Sequence, residues 1–353
     1  AMEAAVIPGI TVWGVNCLND LLAALNHPEL ETEKVYQPRI RAEDLLREGT
    51  GQDTGDFREV AGQENAKRGA EIAAAGFHNL LMIGPPGVGK SMVAGRIPGI
   101  LPPLTLKESL EVTGIFSVAG LLPPGQALIT RRPFYAPHHT VTQAALIGGG
   151  SGIPRPGMVS LAHRGVLFLD ELPEFRKNVL DGMRQPMEER KVQIARSAGM
   201  VTYPSDFILV AAMNPCPCGY YPDRNKCRCT QPQIEKYLGK ISGPILDRID
   251  LCVELHPVDI LHLQKTKTEK SSEDMKRQIR HARERQAERF AGTDCRFNGD
   301  IRSAQVEEYC PLGEEGQKVM EQLYRTLQLS ARVYHRILKT CLLYTSPSPR
   351  DCS

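Results

Sequence analysis

The chain has 353 residues, a formal charge of +2 and a hydrophobic content of 41%. That length accommodates two or three domains with ordinary cores, and the near-neutral charge excludes bulk polycationic binding to nucleic acid, leaving a local basic surface as the only electrostatic route to it. No apolar run approaches the roughly 18 residues of a membrane span, and no basic segment followed by an apolar core opens the chain, so a cytoplasmic location without a membrane partner is expected.

In chain order, Ile10 to Val15 predicts a short strand, and Leu18, Leu21, Leu22 and Leu25 fall at helical spacing. Residues 1–28 are too few to bury a core and are read as the end of an upstream domain. Residues 29–56 are polar and broken by Pro38 and by Gly49 and Gly51, which predicts a linker. A helix is expected from Phe57 to Ala75, with Ala66, Ala70 and Ala73 on one face, ended by Gly76.

Leu80 to Ile83 is an apolar strand leading into Gly84, Pro85, Pro86, Gly87, Val88, Gly89, Lys90 and Ser91. This is the spacing G-x-x-x-x-G-K-S of a phosphate-binding loop. Glycines let backbone N–H groups wrap a phosphate, Lys90 brings positive charge to the β and γ phosphates, and the Ser91 hydroxyl can ligate Mg²⁺. A helix starting near Ser91 adds its N-terminal dipole and is expected to close at Pro98, Gly99, Pro102 and Pro103. The stretch from Leu104 to Gly157 predicts surface loops, among them Arg131 to Tyr135 and the pair His138 and His139.

Val166 to Leu169 is a second apolar strand and ends in Asp170 and Glu171. After a phosphate loop, that pair suits Mg²⁺ retention by Asp170 and orientation of an attacking water by Glu171. Lys191 to Arg196 and Met200 to Tyr203 predict a hairpin turning at Gly199. Phe207 to Met213 is a third apolar strand with Asn214 at its end, where the amide either senses a γ-phosphate or begins a turn. Three apolar strands alternating with helices predict an α/β fold, a parallel sheet with nucleotide at its carboxyl edge.

Four of the ten cysteines, Cys216, Cys218, Cys227 and Cys229, lie within fourteen residues. Two C-x-C turns of this kind can close a tetrahedral structural Zn²⁺ site; free thiols or a redox pair are the alternative. Arg248 suits an arginine finger acting on a neighbouring subunit's nucleotide, or else a salt bridge with Asp247 or Asp250. Ser271 or Ser272 caps a helix running to Phe290, and a further helix is expected over 315–341, carrying Arg332 and Arg336 one turn apart. Residues 342–353 predict a disordered tail.

Gly62-Gln63, Ala73 to Asn79, the phosphate loop, Tyr135 to Thr140, Ala145 to Gly150, Val166 to Glu171, Ala212 to Pro215 and Ser242 to Asp250 together resemble the magnesium-chelatase-like AAA+ ATPases of the YifB and ComM type. The resemblance implies a ring-forming ATPase, a homohexamer, using ATP and Mg²⁺, with a helix-2 insert and a pre-sensor hairpin lining the pore. It further implies an upstream Lon-protease-like domain ending at residue 28, an ATPase core over 57–256 and a helical lid over 257–341. By this resemblance Lys90 and Ser91 are Walker A, Asp170 and Glu171 Walker B, Asn214 sensor 1, Arg248 the arginine finger and Arg332 sensor 2, with Arg336 competing for the last role. The implied activity is ATP-driven remodelling of branched or single-stranded DNA; a chelatase-type motor acting on a protein partner, and a nucleotide-dependent scaffold, stand as alternatives.

Overall fold

A strand whose two faces are both covered by helices must be apolar at every position, and the three apolar runs Leu80–Ile83, Val166–Leu169 and Ile208–Met213 are placed in that way. The computed structural model describes residues 2–7, 10, 12–26, 42–48, 55–150, 154–196, 199–258 and 269–345. The strands in chain order are β1 (Leu80–Ile83), β2 (Phe134–Tyr135), β3 (Gly148–Gly149), β4 (Arg155–Pro156), β5 (Val166–Leu169), β6 (Lys191–Arg196), β7 (Gly199–Pro204), β8 (Ile208–Met213) and β9 (Leu251–Glu254). Five form one sheet in the order β2-β5-β8-β1-β9, parallel throughout. The fold is the α/β arrangement of an AAA+ core.

Side-chain alternation divides the core into two layers. Leu80, Met82, Val166, Phe168 and Val210 point to one face, against the alanines of the helix Glu64–Gly76, Val93 and Ile97 of the helix Lys90–Ile100, and Met275 and Ile279 of the helix Ser272–Arg289. Leu81, Leu167, Leu169, Leu209 and Ala211 point to the other and pack on Val179, Leu180, Met183, Ile245 and Ile249. The expected alanine stripe and the expected hairpin, β6 with β7, are both present; residues 197–198 of its turn lie outside the described residues. The C-terminal helical region has a small core of its own around Phe290, Ile301, Val306, Met320 and Leu338.

Several local expectations are corrected. Phe134–Tyr135, read as loop, pairs in parallel with Val166–Leu167 as an edge strand. β9, with its half-apolar sequence Leu-Cys-Val-Glu, also joins the sheet, because an edge strand needs only one partner and one covered face. The helix after the phosphate loop passes through Pro98 to Ile100: near the end of a helix a proline costs a single backbone hydrogen bond, and Ile97, Pro98 and Ile100 are all buried. The single helix expected over 315–341 is two, Glu314–Leu327 and Ala331–Thr345, separated where Gln328 takes φ 48° and its amide closes on the Tyr324 carbonyl. The second of these runs through residues 342–345, whereas 346–353, the rest of the expected tail, lie outside the described residues. Within the expected linker, Ala42–Glu48 is helical, and 29–41 and 49–54 lie outside the described residues, as do 27–28 before it. At Ile10 to Val15 the described residues hold only an isolated bridge at Gly14.

The chain divides into two compact units, residues 53–102 with 133–353, which contain the sheet, and residues 1–52 with 103–132. The second is built on the helix Leu106–Ala119, another element absent from the sequence reading, which starts at a capping box formed by Thr105 and Glu108. Val6, Ala42, Ala127 and Leu128 form its core. Thr113 Oγ1 accepts from the Ile129 amide at 2.9 Å, which ties the returning segment to the helix.

Candidate nucleotide site

In a parallel sheet all strand ends of one kind share one edge, so the residues just after β1, β5 and β8 must converge. Ile83 is in register with Met213, and Leu169 with Ala211. The residues next in sequence, Gly84, Asn214 and Asp170, therefore meet at the carboxyl edge.

Gly84 is there because the chain passes close to β9: a Cβ would lie 2.6 Å from the Leu255 carbonyl oxygen. Gly89, with φ 95°, precedes the helix Lys90–Ile100 at its N-cap position and has no side chain to satisfy the first amides of that helix. An uncapped helix start preceded by a glycine loop is an anion receptor. Lys90 is buried, and its Nζ donates to the carbonyls of Gly84 (2.6 Å) and Pro85 (2.9 Å) and to Asn214 Oδ1 (3.0 Å). Burial lowers its pKa, and the nearby Asp170 and Glu171 carboxylates draw it part of the way back. The three oxygens in contact are neutral, so the ammonium keeps its charge available for an anion.

Ser91 Oγ donates to Asp170 Oδ2 at 2.9 Å, and the other Asp170 oxygen accepts from the Glu171 amide at 2.9 Å. A hydroxyl and a carboxylate in contact beside a phosphate receptor are a donor pair suited to Mg²⁺, and they fit the ion that the resemblance implies. Glu171 lies in the left-handed region at φ 51°, an uncommon conformation for a residue with a side chain, and its Oε2 is 3.0 Å from His139 Nδ1. Sequence reasoning locates His138 and His139 but not this contact; only the pairing of β2 with β5 brings residue 139 to residue 171.

Beside the loop opens a cavity of about 780 Å³. The phosphate loop forms one side, Val60 and Ala61 another, His256 to Val258 a third, and Tyr220 to Asp223 a fourth. Gln63 links two of these, its Nε2 donating to the His256 carbonyl at 2.6 Å and to the Val88 carbonyl at 3.2 Å. Outside the phosphate loop, the residues of these walls carry no sequence signal of their own.

The arginines are elsewhere. Asn79, immediately before β1, accepts from the Leu209 amide at 2.9 Å and donates to the Arg248 carbonyl at 2.8 Å, so Arg248 belongs to the amino edge. Its guanidinium pairs with Glu188 and donates to the Pro244 carbonyl; neither Asp247 nor Asp250, the sequence candidates, is its partner. Arg332 lies 3.8 Å from Asp247, and Arg336 donates to the Ile249 carbonyl, so both belong to the same edge as Arg248. Arg248, Arg332, Arg336 and Lys339 line a cavity of about 440 Å³ there. The fold thus gathers Lys90, Ser91, Asp170, Glu171 and Asn214, and it holds Arg248 and Arg332 apart from them. No helix is long and apolar enough to cross a membrane among the described residues.

The family described as magnesium chelatase, subunit ChlI, matches residues 56–263, and its C-terminal counterpart matches residues 269–342. The chain is 46% identical to the uncharacterized protein YifB of Salmonella typhimurium over 288 residues, 81% of this chain and 55% of that protein. It is 40% identical to the competence protein ComM of Haemophilus influenzae over 348 residues, 96% of this chain and 65% of that one. A magnesium-chelatase 67 kDa subunit of Chlorobaculum parvum is 25% identical over 241 residues, 63% of this chain and 34% of that subunit. The chain thus spans a little over half to about two thirds of the length of the YifB and ComM relatives it matches.

Proposed function

This chain belongs to the magnesium chelatase ChlI family of AAA+ proteins, and from that premise we propose that it hydrolyses ATP as one subunit of a homohexameric ring and couples the cycle to remodelling of branched or single-stranded DNA. One observation carries the ATPase reading: an ammonium held on neutral oxygens, a hydroxyl–carboxylate pair and a second carboxylate converge at the start of an uncapped helix. Lys90 and the amides of Gly87 to Ser91 bind the phosphates, and Asn214, already on Lys90, is placed to sense the γ-phosphate. Mg²⁺ held by Ser91 and Asp170 would neutralise charge on the phosphoryl oxygens. Glu171 orients the attacking water, and His139 restrains its carboxylate.

Arg248 is separated from its own phosphate loop by the length of β1, about 13 Å at 3.3 Å per residue. It therefore serves the nucleotide of an adjacent subunit, and Arg332, at the same edge, acts in the same direction. The site is completed only by assembly.

The likeness to a competence protein over nearly the whole chain supports DNA as the substrate. The weaker likeness to a magnesium-chelatase subunit supports a second reading, in which the cycle remodels a protein partner. ATP turnover measured with and without four-way junction or single-stranded DNA, over a salt series, separates them. Stimulation that falls with salt is expected, because phosphate contacts release counterions. Turnover indifferent to both DNAs at every salt concentration would overturn the DNA reading and favour a protein partner.

A further inference from the structure

We propose that Cys216, Cys218, Cys227 and Cys229 bind one Zn²⁺, and that the resulting knuckle holds a wall of the nucleotide cavity against the phosphate loop, so that nucleotide affinity depends on zinc. The second half rests on reading that cavity as the nucleotide's.

The geometry is that of a single-ion site. The four Sγ atoms lie within 4.8 Å of one another, with Cys216 to Cys218 at 3.4 Å, Cys218 to Cys227 at 3.6 Å and Cys216 to Cys227 at 3.8 Å. A tetrahedral ion with Zn–S bonds of about 2.3 Å has ligand–ligand edges of about 3.8 Å. A cluster of two metal ions would spread the sulfurs into two separated pairs. The Tyr221 amide donates to Cys216 Sγ at 3.4 Å, the kind of contact that orients a metal-bound thiolate. Arg224 donates to the Cys229 carbonyl at 3.1 Å, and Lys226 and Arg228 flank Cys227, so positive charge surrounds a site that four thiolates would leave negative.

The segment also needs something besides packing to hold its shape. Residues 215–229 contain no helix or strand, and their apolar cluster is limited to Cys216, Cys227 and Ile234, with Tyr221 and Cys229 partly buried against them. A loop of that length held internally by a few turn hydrogen bonds requires another constraint, and four metal–thiolate bonds supply one.

The knuckle begins two residues after Asn214 and folds back onto the phosphate loop. Gly219, buried and at φ 87°, sits where a Cβ would lie 2.6 Å from Pro86 Cδ and 3.8 Å from Asn214 Cγ. Tyr220 to Asp223 then form one wall of the 780 Å³ cavity. Nothing in this wall belongs to a strand or helix, so its position is set by the cysteines at its two ends.

Metal content of the purified full chain and its affinity for a fluorescent ATP analogue, measured before and after zinc removal by a mercurial with a chelator, test both halves. One zinc per chain is expected, with affinity falling roughly tenfold on removal and returning once excess dithiothreitol has taken the mercurial off the cysteines and Zn²⁺ is added. Gly219→Ala is expected to retain zinc and a folded circular dichroism spectrum while losing affinity to a similar extent, which keeps the test decisive if Cys227→Ser fails to fold. Substoichiometric zinc, or iron in its place, would overturn the site. Full zinc with affinity unchanged by its removal would overturn the coupling. Failure of the zinc-loaded protein to bind the analogue at all would defeat both the coupling and the nucleotide reading, leaving the metal count to judge the site alone.

Discussion

The two edges of the central sheet handle charge in opposite ways. At the carboxyl edge the buried cation, Lys90, rests on carbonyl and amide oxygens that carry no charge. At the amino edge the arginines touch acids: Arg248 meets Glu188, Arg332 approaches Asp247, and Arg164, Arg190 and Arg296 surround Asp206. The first edge keeps a charge in reserve for an anion that arrives; the second uses charges of its own to hold itself together. Arg248 stands between the two cases: its partner Glu188 is half exposed, as the proposed exchange of that carboxylate for a neighbour's phosphate requires.

The contrast between the edges can be broken in three places. The largest effect is expected at Arg248. If its target is a neighbour's nucleotide, Arg248→Ala lowers turnover by at least about 10³-fold in a homogeneous ring while nucleotide affinity stays near its original value. Mixing these subunits with Lys90→Ala subunits, each inactive alone, then restores part of the turnover, because some interfaces pair an intact Lys90 with an intact Arg248. Unaltered turnover in the homogeneous variant would show that the amino edge is structural only.

Next come the two charged residues of the carboxyl edge. Glu171→Gln should leave analogue binding intact and reduce turnover by about 10³-fold, whereas Lys90→Ala should weaken binding itself. Equal loss of binding in both would mean that Glu171 supports the loop and takes no part in orienting water.

The smallest effect, and the sharpest in its pH dependence, belongs to Asp206. Burial alone would raise its pKa, but the guanidiniums of Arg190, Arg296 and Arg164 outweigh that and hold it below the ordinary aspartate value. Its stabilising contribution is therefore fully present above the unfolded-state pKa and disappears as pH falls through the lower folded-state value. Asp206→Asn should cost about 2 kcal/mol at neutral pH, since it removes the buried carboxylate on which the partly exposed Arg164, Arg190 and Arg296 converge. In denaturant melts the gap between the two proteins should stay constant above about pH 5 and close below about pH 4. A gap independent of pH would assign the loss to packing, not to charge.

Where the chemistry is local in sequence, it is legible there. Gly84 to Ser91, Asp170 with Glu171, and Asn214 each follow an apolar run, and strand plus carboxyl-end residue is a pattern of adjacent positions. The hairpin β6–β7 and the Ser271 cap are local in the same sense. The helix through Pro98, the break at Gln328 and the helix Leu106–Ala119 escape a sequence reading. A proline near a helix end, a left-handed glutamine and a capping box whose helix is only weakly amphipathic all depend on packing that no window of sequence reports.

The sequence by itself determined that this chain has a parallel sheet with a phosphate receptor and an acidic pair at the ends of its strands, because both arise from residues next to one another. Only the tertiary structure decided which residues share an edge. It put His139 on Glu171, folded Gly219 of the cysteine knuckle onto Pro86, and set Arg248 and Arg332 a strand's length from Lys90. Those relations depend on parallel register and on contacts between positions far apart in the chain, so they exist only once the sheet is closed.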